Sequence, residues 1–140
     1  MAKIALITDT HFGARNDSIQ FLKYYRKFYK NTFFPYIDKH NIDTIFHLGD
    51  IVERRKFINF ITLNQFKRMF IQPMIDRDIT FHCIVGNHDI PYRNSNEISA
   101  MSELFHNQGK NNMHLYWKPE DVEHDGVSIG MLPWINNDNY

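Results

Sequence analysis

The stretch Phe81-His82-Cys83-Ile84-Val85-Gly86-Asn87-His88-Asp89 constrains this chain most: an apolar run stops at a glycine and is followed at once by Asn, His and Asp. A short run of this kind is a buried strand, and a glycine at its end lets the backbone turn sharply and leave polar side chains at the carboxyl edge. The pattern occurs twice more. Residues 4–8 lead into Asp9-Thr10-His11, and residues 44–48 lead into Gly49-Asp50. Helical patterns separate the three runs, so the alternation predicts a parallel sheet with crossover helices. In such sheets ligands bind beyond the carboxyl ends of the strands. Three strands therefore aim acidic, amide and imidazole groups at one place.

Between the first two runs, residues 12–17 read as a loop, with Asp17 or Ser18 as the cap of the following helix. Ile19, Leu22, Tyr25, Phe28, Tyr29 and Phe33 recur at helical spacing, with Lys23, Arg26, Lys27 and Lys30 between them, which predicts an amphipathic helix ending before Pro35. Its basic face is ordinary solvated surface. A second helix is expected over about residues 60–75, with Phe60, Leu63, Phe66, Phe70, Ile71 and Met74 on one face and Pro73 kinking or ending it. After Asp89, a loop over residues 91–96 leads to a capping box of Asn94 and Glu97, a helix through Phe105 and a closing Gly109. Residues 113–116, 121–124 and 127–132 then read as antiparallel strands, the last two joined by an Asp125-Gly126 turn. They would start a second sheet or extend the first.

At 140 residues, 43% hydrophobic and 15% aromatic, the chain suits one domain with a substantial core. Lys+Arg and Asp+Glu both number 16, so any nucleic-acid contact must be a local basic surface. Cys83 is the only cysteine and lies within a strand run, where a buried thiol in a reducing compartment is expected rather than a nucleophile. Neither a signal-peptide pattern nor a membrane-length apolar run is present, so a soluble, cytoplasmic protein is expected.

The three polar clusters carry the chemistry. Oxygen and imidazole donors without thiolates suit Mn²⁺, Mg²⁺, Fe or Zn²⁺ in a hydrolytic site. A carboxylate shared between two donor sets can bridge two cations about 3.5–4 Å apart, the arrangement used for in-line attack at phosphorus. His47 and His82 alternate with apolar residues and read as packed, hydrogen-bonded core. His40 and His106 read as surface residues at helix ends. Arg54-Arg55-Lys56 is either a phosphate clamp or an exposed loop cluster.

The ordered set Asp9-x-His11, Gly49-Asp50 and Gly86-Asn87-His88-Asp89 resembles the first three motifs of the calcineurin-like metallophosphoesterases. Asp9-Thr10-His11-Phe12-Gly13, Gly49-Asp50-Ile51-Val52-Glu53 and the late Asp125-Gly126-Val127 leading to Leu132-Pro133-Trp134 look like the SbcD-type DNA-repair nucleases within that superfamily. The richness in Asn, Phe, Tyr and Lys is similar to that of the recombination nuclease subunits of T-even-like phages, whose setting would be the host cytoplasm. The resemblance implies an α/β fold of the four-layer αββα kind, a β-sandwich flanked by helices. Residues 1–140 would hold the first parallel sheet and the start of the second, as the amino-terminal part of the nuclease domain.

The same resemblance implies roles. Asp9 and His11 would bind one metal ion, Asp50 would bridge two, and Asn87 would bind the second, with Mn²⁺ favoured and Mg²⁺ an alternative. His88 would be the non-ligand histidine acting at the scissile phosphate or leaving oxygen, and Asp89 would orient it or adjust its pKa. The implied partners are DNA, a second copy of the chain, and an SMC-like ATPase of the SbcC type, acting in recombination, repair and replication. The sequence departs from the pattern in two ways. Glu53 stands where many relatives have His or Asp, and the later Gly-His and Gly-His-x-His motifs do not occur, since His106, His114 and His124 lack that context. The fragment alone is therefore expected to be inactive. The rival readings are a phosphatase or small-molecule phosphodiesterase of the same superfamily, and a catalytically dead folding or interaction module.

Overall fold

The computed structural model describes residues 3–92, 94–105, 112–137 and 139–140. Four strands, β1 (Ile4–Ile7), β2 (Thr44–His47), β3 (Thr80–Ile84) and β4 (Met113–Tyr116), form one sheet in the order β1-β2-β3-β4. Every neighbouring pair is parallel. The fourth strand extends the first sheet, one of the two alternatives expected, but corrects the expected antiparallel direction. Residues 113–116 join the first sheet in parallel with β3, because the short helix α6 (Ala100–Phe105) carries the chain back and makes the connection another crossover. Among the described residues only β5 (Glu120–His124) and β6 (Val127–Met131) are antiparallel, as a separate two-stranded sheet. Their turn works because Asp125 and Gly126 both take positive φ, 50° and 77°.

Alternation along the strands divides the interior in two. Ile45, Phe81 and Cys83 face the helices, where they pack with Phe12, Leu22, Tyr29, Phe66, Phe70 and Met74 in the larger core. Phe46 and Tyr116 face the other way and pack with Met131 of the hairpin. Because β2 is covered on both faces, all four of its residues are buried, as its near-continuous apolar pattern requires.

Neither proline stops its helix. The first runs from α2 (Ile19–Phe28) through a π-helical turn (Tyr29–Phe33) into α3 (Phe34–His40), so the expected end before Pro35 is not observed. The second runs from α4 (Phe60–Phe66) through a π-helical turn (Lys67–Ile71) into α5 (Gln72–Asp76), which contains Pro73. The reason is common to both. Each π turn closes with the N–H of the residue before proline bonding five residues back, Phe34 to Tyr29 and Gln72 to Lys67, and so re-phases the backbone where proline has no N–H to give. The two π turns meet through Tyr29 and Phe70, ring centroids 5.2 Å apart.

Helix starts also differ in detail from the sequence reading. Ser18 sits at the start of α2 but makes no side-chain cap. Asp17 instead accepts from Thr62 Oγ1 at 2.8 Å and pairs with Arg54, tying the turn α1 (Ala14–Asp17) to α4. Phe60 is 85% exposed, and Asn59 caps α4 by accepting from the Ile61 N–H. The capping box of α6 is Ser99 with Ser102, each hydroxyl accepting the other's N–H at 3.0 and 3.1 Å, so this helix starts later than Asn94 and Glu97 suggest. Gly109 and His106 lie outside the described residues. Among the described residues no helix is long and apolar enough to cross a membrane.

Candidate active site

The loops after β1 and β2 continue the strand pairing past the strand ends. Asp9 N–H donates to the Gly49 carbonyl at 3.1 Å, His11 N–H to Asp50 at 3.0 Å, and Phe12 N–H to Ile51 at 2.7 Å. This ladder holds Asp9, His11 and Asp50 at positive φ, 52°, 41° and 55°. Each such conformation costs a non-glycine residue on the order of 1–3 kcal/mol, and that expense at three clustered polar residues is a mark of a functional site. The third loop closes over the second. A Cβ on Gly86 would lie 2.3 Å from both the backbone nitrogen and Oδ1 of Asp50, and one on Gly49 would lie 2.8 Å from the Gly86 Cα. The glycines before Asp50 and Asn87 thus let the two loops touch.

Five residues rim the resulting hollow. Asp9 is exposed, and His11, Asp50, Asn87 and His88 are half-buried. His11 Nε2 lies 3.4 Å from Asp9 Oδ1 and 4.0 Å from Asp50 Oδ2. The Asn87 carboxamide places one polar atom 2.9 and 3.2 Å from the two Asp50 oxygens and the other 3.0 Å from Arg55 Nη2. His88 is held twice: its backbone N–H donates to Asp50 Oδ1 at 2.8 Å, and its Nδ1 lies 2.8 Å from the Glu53 carbonyl. A carbonyl only accepts, so Nδ1 carries the proton and Nε2 is left to exchange one. The His11 and His88 rings meet edge to face at 4.9 Å. The Thr8 hydroxyl bonded to Asp9 holds that carboxyl below its ordinary range, against its slight burial and with help from His11.

Asp89 stands behind this rim and not on it. It is fully buried, and its carboxylate accepts four backbone N–H groups: Asp50 at 2.8 Å and Gly86 at 2.9 Å on Oδ2, Ile51 at 2.9 Å and Val52 at 3.2 Å on Oδ1. Burial pushes its pKa up to about 6, while the Gly86 and Val52 amides pull the other way. The expectation that Asp89 orients His88 is corrected here. Both carboxylate oxygens are taken by amides, and the group holding the imidazole is the Glu53 carbonyl.

The histidines read as structural are buried and bonded. His47 accepts the Gly49 N–H on Nδ1 at 3.2 Å and has Thr10 Oγ1 3.0 Å from Nε2; desolvation lowers its pKa to about 3. His82 bonds the Tyr116 hydroxyl at 2.7 Å, stacks on Phe46 and His114, and is lowered to about 4 by desolvation, with His114 and His124 adding to the effect.

A family model described as calcineurin-like phosphoesterase matches residues 2–137. The chain belongs to the calcineurin-like phosphoesterase family. Exonuclease subunit 1 of Enterobacteria phage T4 is 38% identical over 104 residues, 74% of this chain. Those residues span 30% of that protein's length.

A calcineurin-like phosphoesterase is expected to bind divalent metal, and the donors present fit it. Asp9, His11 and Asp50 form one group of candidate ligands, and the 3.4 and 4.0 Å from His11 Nε2 to the two carboxylates are separations that ligands at about 2.0–2.2 Å from a shared cation can span. His11, Glu53 and His88 form a second such group. The Asp50–Asn87 contact is also informative. With nitrogen towards Asp50 the carboxamide donates to the carboxylate; with oxygen there, two acceptors oppose one another and a cation between them is what reconciles them.

Two features of this site were not read from the sequence. Glu53 Oε2 lies 2.8 Å from the buried His11 Nδ1, close enough for an ion pair but not aligned as a hydrogen bond. The segment after β6 returns to the site, where the Trp134 N–H donates to the Val85 carbonyl at 2.8 Å. With Leu48, Asp50, Gly86 and Asn87 it lines an open cleft of about 400 Å³. Only the acid three residues beyond Asp50 hinted at the first; nothing local signals the second.

Proposed function

We propose that the protein is the nuclease subunit of a DNA-processing assembly, hydrolysing phosphodiester bonds with two divalent cations, Mn²⁺ in preference to Mg²⁺. The observation that carries this reading is Asp50, whose carboxylate lies between the Asp9–His11 pair on one side and Asn87 on the other. The name of the T4 relative, an exonuclease subunit, supports DNA as substrate and a multi-subunit assembly. Beyond that, the motifs resemble those of the SbcD-type nucleases, and by that resemblance the protein would act as a homodimer with an SMC-like ATPase in recombination, repair and replication.

Asp9 and His11 would hold one cation, Asn87 the other, and Asp50 both. Bound there, the cations would neutralise phosphate charge and lower the pKa of a water nucleophile. The chain's own residues do the rest. Asp89 fixes the Asp50 and Gly86 peptides, and with them the distance between the two donor sets. His88, with Nδ1 anchored on Glu53, presents Nε2 to hold or give a proton at the leaving oxygen. Asn87 and the cleft beside it orient the substrate.

The test is Mn²⁺-dependent degradation of DNA, set beside turnover of an aryl phosphate by the same protein. DNA cleavage abolished by Asp50→Ala is the expected result. Turnover of the aryl phosphate with intact DNA would favour a phosphatase, and no turnover of either a binding module.

A further inference from the structure

Of the three cations that follow Asp50, two are satisfied by this chain. Arg54 hydrogen-bonds Asn16, pairs with Asp17 at 3.3 Å and lies 4.8 Å over the Phe57 ring. Lys56 lies 5.0 Å over the Tyr92 ring. Arg55 is different. Its Nη2 lies 3.0 Å from the Asn87 carboxamide, and its Nη1 is buried with no hydrogen-bond partner among the described residues. A buried guanidinium N–H without an acceptor is costly, and such an atom marks where a partner belongs.

Asn87 decides what that partner is. With its nitrogen on Asp50, the Asn87 oxygen accepts from Arg55 and the two residues satisfy each other. A cation shared by Asp50 and Asn87 requires the opposite orientation, and the amide nitrogen then meets Arg55 Nη2, donor against donor. Arg55 is left with two N–H directions lacking an acceptor, at the edge of the cation site. A phosphate oxygen pair is the acceptor that matches a guanidinium fork.

We propose that Arg55 is a phosphate-binding residue that releases the Asn87 oxygen when it takes the substrate phosphate, so that cation and substrate strengthen each other's binding. This rests on the two-cation phosphodiesterase reading and deepens it. Without phosphate, Arg55 competes with the cation for one orientation of Asn87. With phosphate bound, the competition disappears, and by linkage the cation tightens the phosphate by the same factor.

The experiment is Mn²⁺ titration calorimetry with and without inorganic phosphate, on the wild type, Arg55→Gln and Arg55→Lys, with circular dichroism as the check on folding. Phosphate should tighten Mn²⁺ binding in the wild type by about fivefold or more, the lower range of known couplings. In Arg55→Gln, Mn²⁺ should bind more tightly than in the wild type when phosphate is absent, and most of the phosphate effect should vanish. Arg55→Lys keeps the charge without the fork and should fall between, which preserves the test if the Gln variant does not fold. Undiminished phosphate tightening in a folded variant would overturn the proposal, as would Mn²⁺ binding weakened in the absence of phosphate. A wild type that binds no Mn²⁺ would overturn the two-cation reading and this proposal with it. Mn²⁺ and phosphate coupling through Arg55 in a protein that leaves DNA uncut would remove the nuclease reading and leave Arg55's role standing.

Discussion

The Asp89 carboxylate accepts the backbone N–H of Asp50 at 2.8 Å, so the central acid of the site is positioned by an acid that stays out of it. Asp50 stands at φ 55°, and Asp89 also bonds the amides of Ile51, Val52 and Gly86. Asp89→Asn puts a donor against at least two of those four amides. The expected loss is about 1–3 kcal/mol for each orphaned amide, read from denaturant unfolding. Unchanged stability with lost turnover would return Asp89 to the catalytic role expected from the sequence.

His88 and Asp50 separate binding from turnover. Asp50 is close to both donor sets, whereas the His88 side chain is anchored on the Glu53 carbonyl. His88→Ala should leave Mn²⁺ affinity within a few-fold and lower turnover by roughly 10²–10⁴, the usual range for a general acid or base. Asp50→Ala should abolish both. Calorimetry in which the two variants lose metal equally would make His88 a ligand.

The strand ends, their order and the converging polar residues were legible because buried parallel strands read as continuous apolar runs and glycine marks where they stop. What was not legible is long-range or depends on backbone phase. Pro35 and Pro73 looked like helix ends because proline breaks an α-helix, and only a π turn five residues deep lets the chain continue. Asp89 looked catalytic because its side chain follows His88, but the turn Gly86–Asp89 points it inward at amides contributed by residues 50–52. The parallel pairing of β4 was hidden because a short run such as Met113–Tyr116 carries no sign of its partner's direction.

Acid should destabilise the fold through its buried histidines. His82 and His47 are lowered in the folded chain, to about 4 and about 3. Below an unfolded pKa of about 6.5 the unfolded chain therefore binds more protons than the folded one. Their contribution is present above pH 6.5 and is lost as pH falls towards 4. Asp89, raised to about 6, acts in the opposite sense between about 4 and 6 and offsets part of it. The melting temperature should fall on acidification across this window, and the fall should flatten in His82→Phe. An identical profile in that variant would remove His82 from the account.

Glu53 supports two different roles for one side chain, and substitution separates them. Its Oε2 lies 2.8 Å from His11 Nδ1, which would fix the ring with Nε2 towards Asp9 and Asp50; it also belongs with His11 and His88 to a group able to hold a cation itself. A positioning partner needs an acceptor near Nδ1, whereas a ligand needs charge. Glutamine keeps the first and removes the second. Outer partners of metal-binding histidines typically contribute 10–100-fold to metal affinity, so Glu53→Ala should weaken Mn²⁺ binding by about that factor. We expect Glu53→Gln to recover most of the loss, because the Asp9–His11–Asp50 group already supplies carboxylates on the Nε2 side of the ring. Calorimetry on the two variants decides it: a Gln variant as weak as the Ala variant would place the cation at Glu53, and would move the first metal from the Asp9 side of His11 to its Nδ1 side.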